Sequence, residues 1–291
     1  MDAKTSSGLN SRKFKVVPDK KKEEQLPFHP ALNLSSVKRI IAVLSGKGGV
    51  GKSTVTSLLA VELRRKGYSV GIMDADITGP SIPKMFGITG PLESASVGIF
   101  PAVTETGIKV MSTNLLLPEE DTALIWRGPI MSSAIMQFWK DVVWGELDVL
   151  LVDLPPGTSD ATLTVMQSVP LSGAVMVSMP QKLSTMVVRK TVNMAAKMEI
   201  PILGVIENMS YFTMPDGKKS MIFGESNIEK VAELAKAPVL GKMALDPSLS
   251  KLEDDGKAET YSGTDFDEIA DAFVKILPPE RPVDPAEGMQ E

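Results

Sequence analysis

Residues Ser45 to Thr54 read S-G-K-G-G-V-G-K-S-T, and Gly46 to Ser53 keep the spacing G-x-x-x-x-G-K-S. Glycines at this density let the main chain curl tightly and approach an anion, so that successive N–H groups converge on it. Gly46, Gly48, Gly49, Val50 and Gly51 are therefore candidate main-chain contacts to phosphate. Lys52 adds a full positive charge against the β- and γ-phosphates, and Ser53 offers a hydroxyl to Mg2+. Thr54 stands at the start of a helical pattern, whose N-terminus presents a partial positive charge to the anion. A second lysine, Lys47, directly after the first glycine, is too close along the chain to follow its own loop's phosphates comfortably. The chemistry of this stretch is the binding of a nucleoside triphosphate with magnesium.

Three further clusters of polar residues follow apolar runs. Asp74 and Asp76, in D-A-D-I-T-G-P-S, are carboxylates suited to holding metal-bound water and orienting an attacking water. Asp153, in D-L-P-P-G-T-S-D, ends another apolar run, the arrangement in which an aspartate holds Mg2+ through water. Gly157, after the rigid Pro155-Pro156 pair, can place its N–H near a γ-phosphate, which would let the loop distinguish triphosphate from diphosphate by ordering. Asn208, in E-N-M-S, offers one acceptor and two donors. That inventory matches an adenine edge, and it equally suits capping of the residue's own loop.

Positioning these residues requires strands that end at one edge. Apolar runs at 40–44, 69–74, 147–152, 173–179, 200–206 and 239–243 are short and nearly uninterrupted, as parallel strands covered on both faces are. Helical patterns fall at 55–66, 130–142, 182–198, 228–236 and 265–277, with Gly67 closing the first. Residues 82–126 read as irregular with short strands at 98–101 and 108–112, and 245–248 as a turn. The alternation predicts an α/β fold: a single-domain P-loop NTPase with a mostly parallel sheet and helices on both faces. Ligands then sit at the carboxyl ends of the strands, beside the phosphate loop. Residues 1–36 predict a disordered polar arm, 37–278 the ATPase domain, and 279–291 a flexible Pro-rich acidic tail.

The chain has 291 residues, a net charge of −5 and no cysteine, and its one histidine is His29. The charge disfavours a general nucleic-acid surface. Without cysteine there is no disulfide and no thiolate ligand, and a single histidine removes a histidine-based metal site. No run of about 18 apolar residues predicts a membrane span, and no apolar N-terminal core predicts secretion. The expected location is the cytoplasm, where the nucleotide is. The 17 methionines, Met176, Met179, Met194 and Met198 among them, read as core filler.

Lys47 after the first glycine resembles the deviant Walker A class that includes MinD, ParA and the nitrogenase iron protein. The resemblance implies a homodimer in which Lys47 reaches the partner's nucleotide, with Asp76 orienting water and Asn208 reading adenine. Within that class, D-A-D-I-T-G-P-S-I-P from Asp74, W-R-G-P from Trp126, W-G-E-L from Trp144, D-L-P-P-G-T-S-D from Asp153, V-I-E-N-M-S-Y-F from Val205 and Leu245–Pro247 resemble the Mrp/ApbC family of iron–sulfur cluster carrier ATPases. That family's pattern implies ATP and Mg2+ as cofactors, a labile 4Fe–4S cluster at the dimer interface, and iron–sulfur apoproteins or assembly factors as partners. The family usually carries C-P-x-C after N-M-S-Y-F, and here the segment is Met214-Pro215-Asp216-Gly217. A thioether is a far weaker ligand than the thiolates that hold such clusters, and glycine has no side chain. The expected iron–sulfur ligand set from this chain is therefore none.

The reading is a Mg-dependent ATP hydrolase of the Mrp/ApbC type in iron–sulfur cluster assembly or transfer. The alternative is a MinD- or ParA-like positioning or regulatory switch. Against it, the C-terminal stretch is acidic and Pro-rich rather than a basic amphipathic helix, and the chain lacks the basic balance that DNA binding needs.

Overall fold

The computed structural model describes residues 30–77, 79–116, 128–181 and 184–282. Nine strands among them form one central sheet: β1 (Ile40–Ser45), β2 (Val70–Asp74), β3 (Ala102–Val103), β4 (Lys109–Met111), β5 (Val149–Asp153), β6 (Gly173–Ser178), β7 (Ile202–Thr213), β8 (Lys219–Ser220) and β9 (Val239–Ala244). Their order is β8-β7-β6-β1-β5-β2-β4-β3, with β9 also paired to β7. Every pairing is parallel except β7 with β8 and β3 with β4, at the two margins. The helices are α1 (Lys52–Arg65), α2 (Ile82–Met85), α3 (Gly128–Lys140), α4 (Asp160–Ser168), α5 (Ser184–Lys197), α6 (Ile228–Ala235), α7 (Pro247–Asp254) and α8 (Thr264–Lys275).

Strand alternation explains the three layers. In β1, Ile40, Ala42 and Leu44 pack into one apolar cluster with residues of α3, α4, α5 and α6. Ile41 and Val43 pack into a second cluster with α1, α7 and α8. A strand buried on both faces needs no polar alternation, which is why these segments read as continuous apolar runs. Phe138 and Trp144 are among the largest fully buried side chains. The indole N–H of Trp144 donates to the Phe138 carbonyl at 3.3 Å, so the bulk is buried without an orphaned donor.

Several boundaries differ from expectation. Order begins before residue 37: Pro30–Asn33 is a helical turn, and Ser36–Val37 pairs with Glu146–Leu147. The predicted tail starts out packed, because the Arg281 N–H donates to the Lys38 carbonyl at 2.9 Å and its guanidinium lies over the Trp139 ring. β7 runs on to Thr213 instead of stopping at residue 206, since Phe212 and Thr213 find antiparallel partners in β8. The stretch 245–248 leads into α7, capped by Asp246, whose carboxylate accepts from the Ser248 N–H at 2.8 Å. α4 was not predicted, because its polar first turn masks the pattern; the Ser159 hydroxyl caps it by accepting from the Thr162 N–H. His29, Thr78, Trp126 and Arg127 lie outside the described residues. Among the described residues no helix is long and apolar enough to cross a membrane. No group of three or more His, Cys, Asp or Glu among them is placed to hold a metal ion.

Candidate functional site

The central strand β1 ends at Ser45, and the chain turns through Gly46–Gly51 into α1. Two of the glycines take left-handed backbone, Gly49 at φ +76° and Gly51 at φ +77°. Two are also needed for closeness. A Cβ on Gly46 would lie 3.0 Å from the Val188 nitrogen in α5, and one on Gly51 would lie 2.1 Å from Asn208 Nδ2. No side chain caps α1 at Gly51, so the first-turn N–H groups stay available to an anion.

Under this loop sits a buried charge cluster. Lys52 Nζ lies 2.7 Å from Asp153 Oδ2, with the lysine 6% and the aspartate 0% exposed. The Ser53 hydroxyl donates to Asp153 Oδ2 at 2.6 Å, and the Thr56 hydroxyl donates to Asp153 Oδ1 at 2.7 Å. β2 and β5 are in register at their ends, so Asp74 lies directly beside Asp153. Asp74 accepts from the Ser112 hydroxyl at 3.1 Å and from the Asp76 N–H at 3.2 Å. Burial raises its pKa, the Asp153 carboxylate raises it further, and Lys52 offsets part of the effect, leaving it at about 8. The register thus sets two carboxylates side by side with the Lys52 ammonium against one of them.

Above the cluster opens a cleft of about 240 Å³, lined by Ser45, residues 47–54, Asp76, Ser81, Met85 and Pro156. Of the residues expected at the site, Lys47, Gly48, Gly49, Val50, Gly51, Lys52, Ser53, Thr54 and Asp76 line this one cleft. Asp153 lies beneath it. Gly157, at φ +75°, donates its N–H to the Ser45 carbonyl at 2.9 Å, which ties the D-L-P-P-G loop to the end of β1. Asn208 sits behind the loop: Nδ2 donates to the Val50 carbonyl at 3.0 Å, and Oδ1 accepts from the Met209 N–H at 2.8 Å. In this arrangement its amide fastens the phosphate loop to β7. Lys47 donates to Gln181 Oε1. Ser53 and Asp153 are adjacent hard oxygen donors, the kind that suits Mg2+.

Sequence reading gave Thr56 and Gln181 no role, and it left Asp74 without one distinct from Asp76. Thr56 follows Ser53 by three residues on α1 and so shares its face, a spacing that was visible. Asp74 was visible as the first acid of D-A-D, but its raised pKa depends on burial beside Asp153. Nothing local marked Gln181.

The Met214–Gly217 segment forms the tip of the β7–β8 hairpin. The Met214 N–H donates to the Lys218 carbonyl and the Gly217 N–H to the Met214 carbonyl, each at 2.8 Å, and Gly217 takes φ +80°. Met214 is exposed. The tip thus offers one thioether and no thiolate, which does not fit an iron–sulfur cluster.

A family model described as a NUBPL iron-transfer P-loop NTPase, of the ParA group, matches residues 36–278. The chain belongs to this family of iron-transfer P-loop NTPases. Such P-loop NTPases are a class of nucleotide hydrolases. An iron–sulfur cluster carrier protein of Clostridium perfringens is 47% identical over 244 residues, covering 81% of this chain and 86% of that protein. Among solved structures, a nucleotide-binding protein of Archaeoglobus fulgidus, in complex with ADP, is 44% identical at a TM-score of 0.70, covering 79% of this chain and 90% of that one. The cell division ATPase MinD of Pyrococcus furiosus shares the fold at a TM-score of 0.64 with 22% identity, covering 82% of this chain and 100% of that one.

Proposed function

We propose that this chain is a Mg-dependent ATP hydrolase that works as a homodimer in the assembly or transfer of iron–sulfur clusters, with the cluster's thiolate ligands coming from its partners. The observation that carries the ATPase half is the buried Lys52–Asp153–Ser53 constellation directly beneath an uncapped glycine loop. The family and the carrier relatives support the iron–sulfur half, and because the hairpin has no thiolate this reading assigns the cluster, as cargo, to other proteins.

In this reading the N–H groups of residues 48–54 bind the phosphates, and Lys52 neutralises them. The 2.7 Å contact between Lys52 and Asp153 holds the ammonium in place before nucleotide arrives. Ser53 and Asp153 would hold Mg2+, which supplies charge neutralisation on the phosphates when bound. Asp76, at the cleft wall, orients the attacking water. Asp74, whose pKa is raised by burial and by the Asp153 carboxylate, is not the base. Gly157, tied to Ser45, reports the γ-phosphate to the D-L-P-P-G loop, and Lys47 serves the partner's nucleotide.

Calorimetric ATP binding and phosphate release, measured on Lys52→Ala and Lys47→Ala, test the reading. Lys52→Ala should lose binding. Lys47→Ala should bind ATP normally and lose turnover by about 10³-fold or more, the scale of a charge supplied across an interface. Normal turnover in Lys47→Ala would refute the dimeric arrangement.

A further inference from the structure

Lys47 lines the cleft, and its ε-ammonium is bonded to the side-chain oxygen of Gln181. That acceptor is built in. Gln181 follows β6 and Pro180, and its N–H donates to the Met179 carbonyl at 2.8 Å. Its carbonyl accepts from Asn227 Nδ2 at 3.0 Å. The Asn227 N–H in turn donates to Oε1 of Glu207 at 3.2 Å, and Glu207 is fully buried. The glutamine therefore stands on a main chain pinned to the sheet, while the lysine is the long, rotatable partner.

The chemistry of the acceptor matters. An amide oxygen is neutral, so it orients an ammonium without pairing its charge. A phosphate carries full negative charge, so it accepts the ammonium's hydrogen bond and pairs its charge as well. The contact thus orients Lys47 within its own subunit and is weak enough to yield to phosphate. A carboxylate at the same position would compete with phosphate on equal terms.

We propose that Gln181 is a positioning residue that parks Lys47 within its own subunit until phosphate draws the lysine away. The proposal rests on the reading that Lys47 serves turnover, and its test separates the two. In nucleotide-free protein, the rate at which an acylating reagent labels Lys47 is read by mass spectrometry. Labelling should be about three- to tenfold faster in Gln181→Ala than in the wild type, and slower in Gln181→Glu. This arm needs no activity, so it stands even if the protein hydrolyses no ATP. In steady-state hydrolysis, kcat should rise in Gln181→Ala and fall in Gln181→Glu, with little change in ATP affinity. The Gln181→Glu loss should be relieved by high salt, as an ion pair is screened. Both effects should vanish in a Lys47→Ala background. A distorted fold cannot produce opposite signs from two substitutions at one position. Equal labelling in the three proteins overturns the proposal, as do kcat changes of the same sign or changes that persist without Lys47. Absent hydrolysis in the wild type, with labelling as expected, overturns the ATPase reading alone.

Discussion

Replacing Asp74 by asparagine should make the nucleotide-free protein more stable, by an amount that grows with pH. Folding raises the Asp74 pKa to about 8 through burial and the neighbouring Asp153 carboxylate, whereas in the unfolded chain it titrates near about 3.9. Between those values the folded state holds a proton that the unfolded chain has released. Stability conferred by the wild-type residue therefore falls as pH rises through this window and levels off above about 8. One proton's difference is worth about 1.4 kcal/mol per pH unit. From pH 5 to pH 7 the wild type should lose up to about 2.7 kcal/mol relative to Asp74→Asn, an upper bound because Asp74 and Asp153 titrate as a pair. Asparagine keeps one oxygen for the Asp76 N–H, in place of Oδ1, and sets its amide nitrogen in place of Oδ2 beside the Ser112 hydroxyl, which can turn to accept from it. Titrating groups remote from the site are common to both proteins and cancel in the difference. Urea titrations at pH 5, 6 and 7 with a chelator and no nucleotide measure it. A stability difference that does not change with pH would refute the raised Asp74 pKa.

Two other outcomes follow from the loop and the hairpin. Gly49→Ala and Gly51→Ala both place a side chain on left-handed backbone, costing about 1–2 kcal/mol. Only Gly51→Ala also drives its Cβ into Asn208, so it should melt at a distinctly lower temperature and lose ATP binding, while nothing lies within 4 Å of a Cβ on Gly49; equal melting temperatures would refute the packing argument. Anaerobic reconstitution with iron and sulfide should leave the protein without stoichiometric iron and without a visible cluster spectrum, since neither Met214 nor Gly217 offers a thiolate. A stable cluster on the isolated protein would refute the assignment of its ligands to partners.

The phosphate loop was legible because its chemistry is local: glycine density, Lys52 and Ser53 are fixed by adjacent residues, and a single strand and helix position them. The doubly covered sheet was legible for a related reason, since burial on both faces writes itself into uninterrupted apolar runs such as 147–152. Features set by neighbours distant in sequence were not. The far end of β7 exists because β8 pairs with it, and the packed start of the C-terminal stretch exists because Arg281 meets Lys38 and Trp139. Asp74 shows the same limit in electrostatic form. Its position was readable, but its proton comes from strand register, which sets it against a carboxylate 79 residues away.

Asn208 marks where residue type alone could not decide. Its amide inventory fits an adenine edge and a protein loop equally well. The structure spends Nδ2 on the Val50 carbonyl and Oδ1 on the Met209 N–H. That choice has a consequence for the site. β7 carries Asn208 and then runs into the exposed hairpin tip, so the phosphate loop and the Met214–Gly217 turn are attached to the same strand. Glu207, the preceding residue, accepts from Asn227 in the segment that returns from that hairpin. A nucleotide that shifts the loop must therefore work against Asn208 and, through it, the strand that presents the tip. The Met214–Gly217 turn and the phosphate loop are thus joined through one strand, although this turn has no thiolate. Under the proposed function, that linkage is a physical route by which nucleotide could influence what docks at the tip.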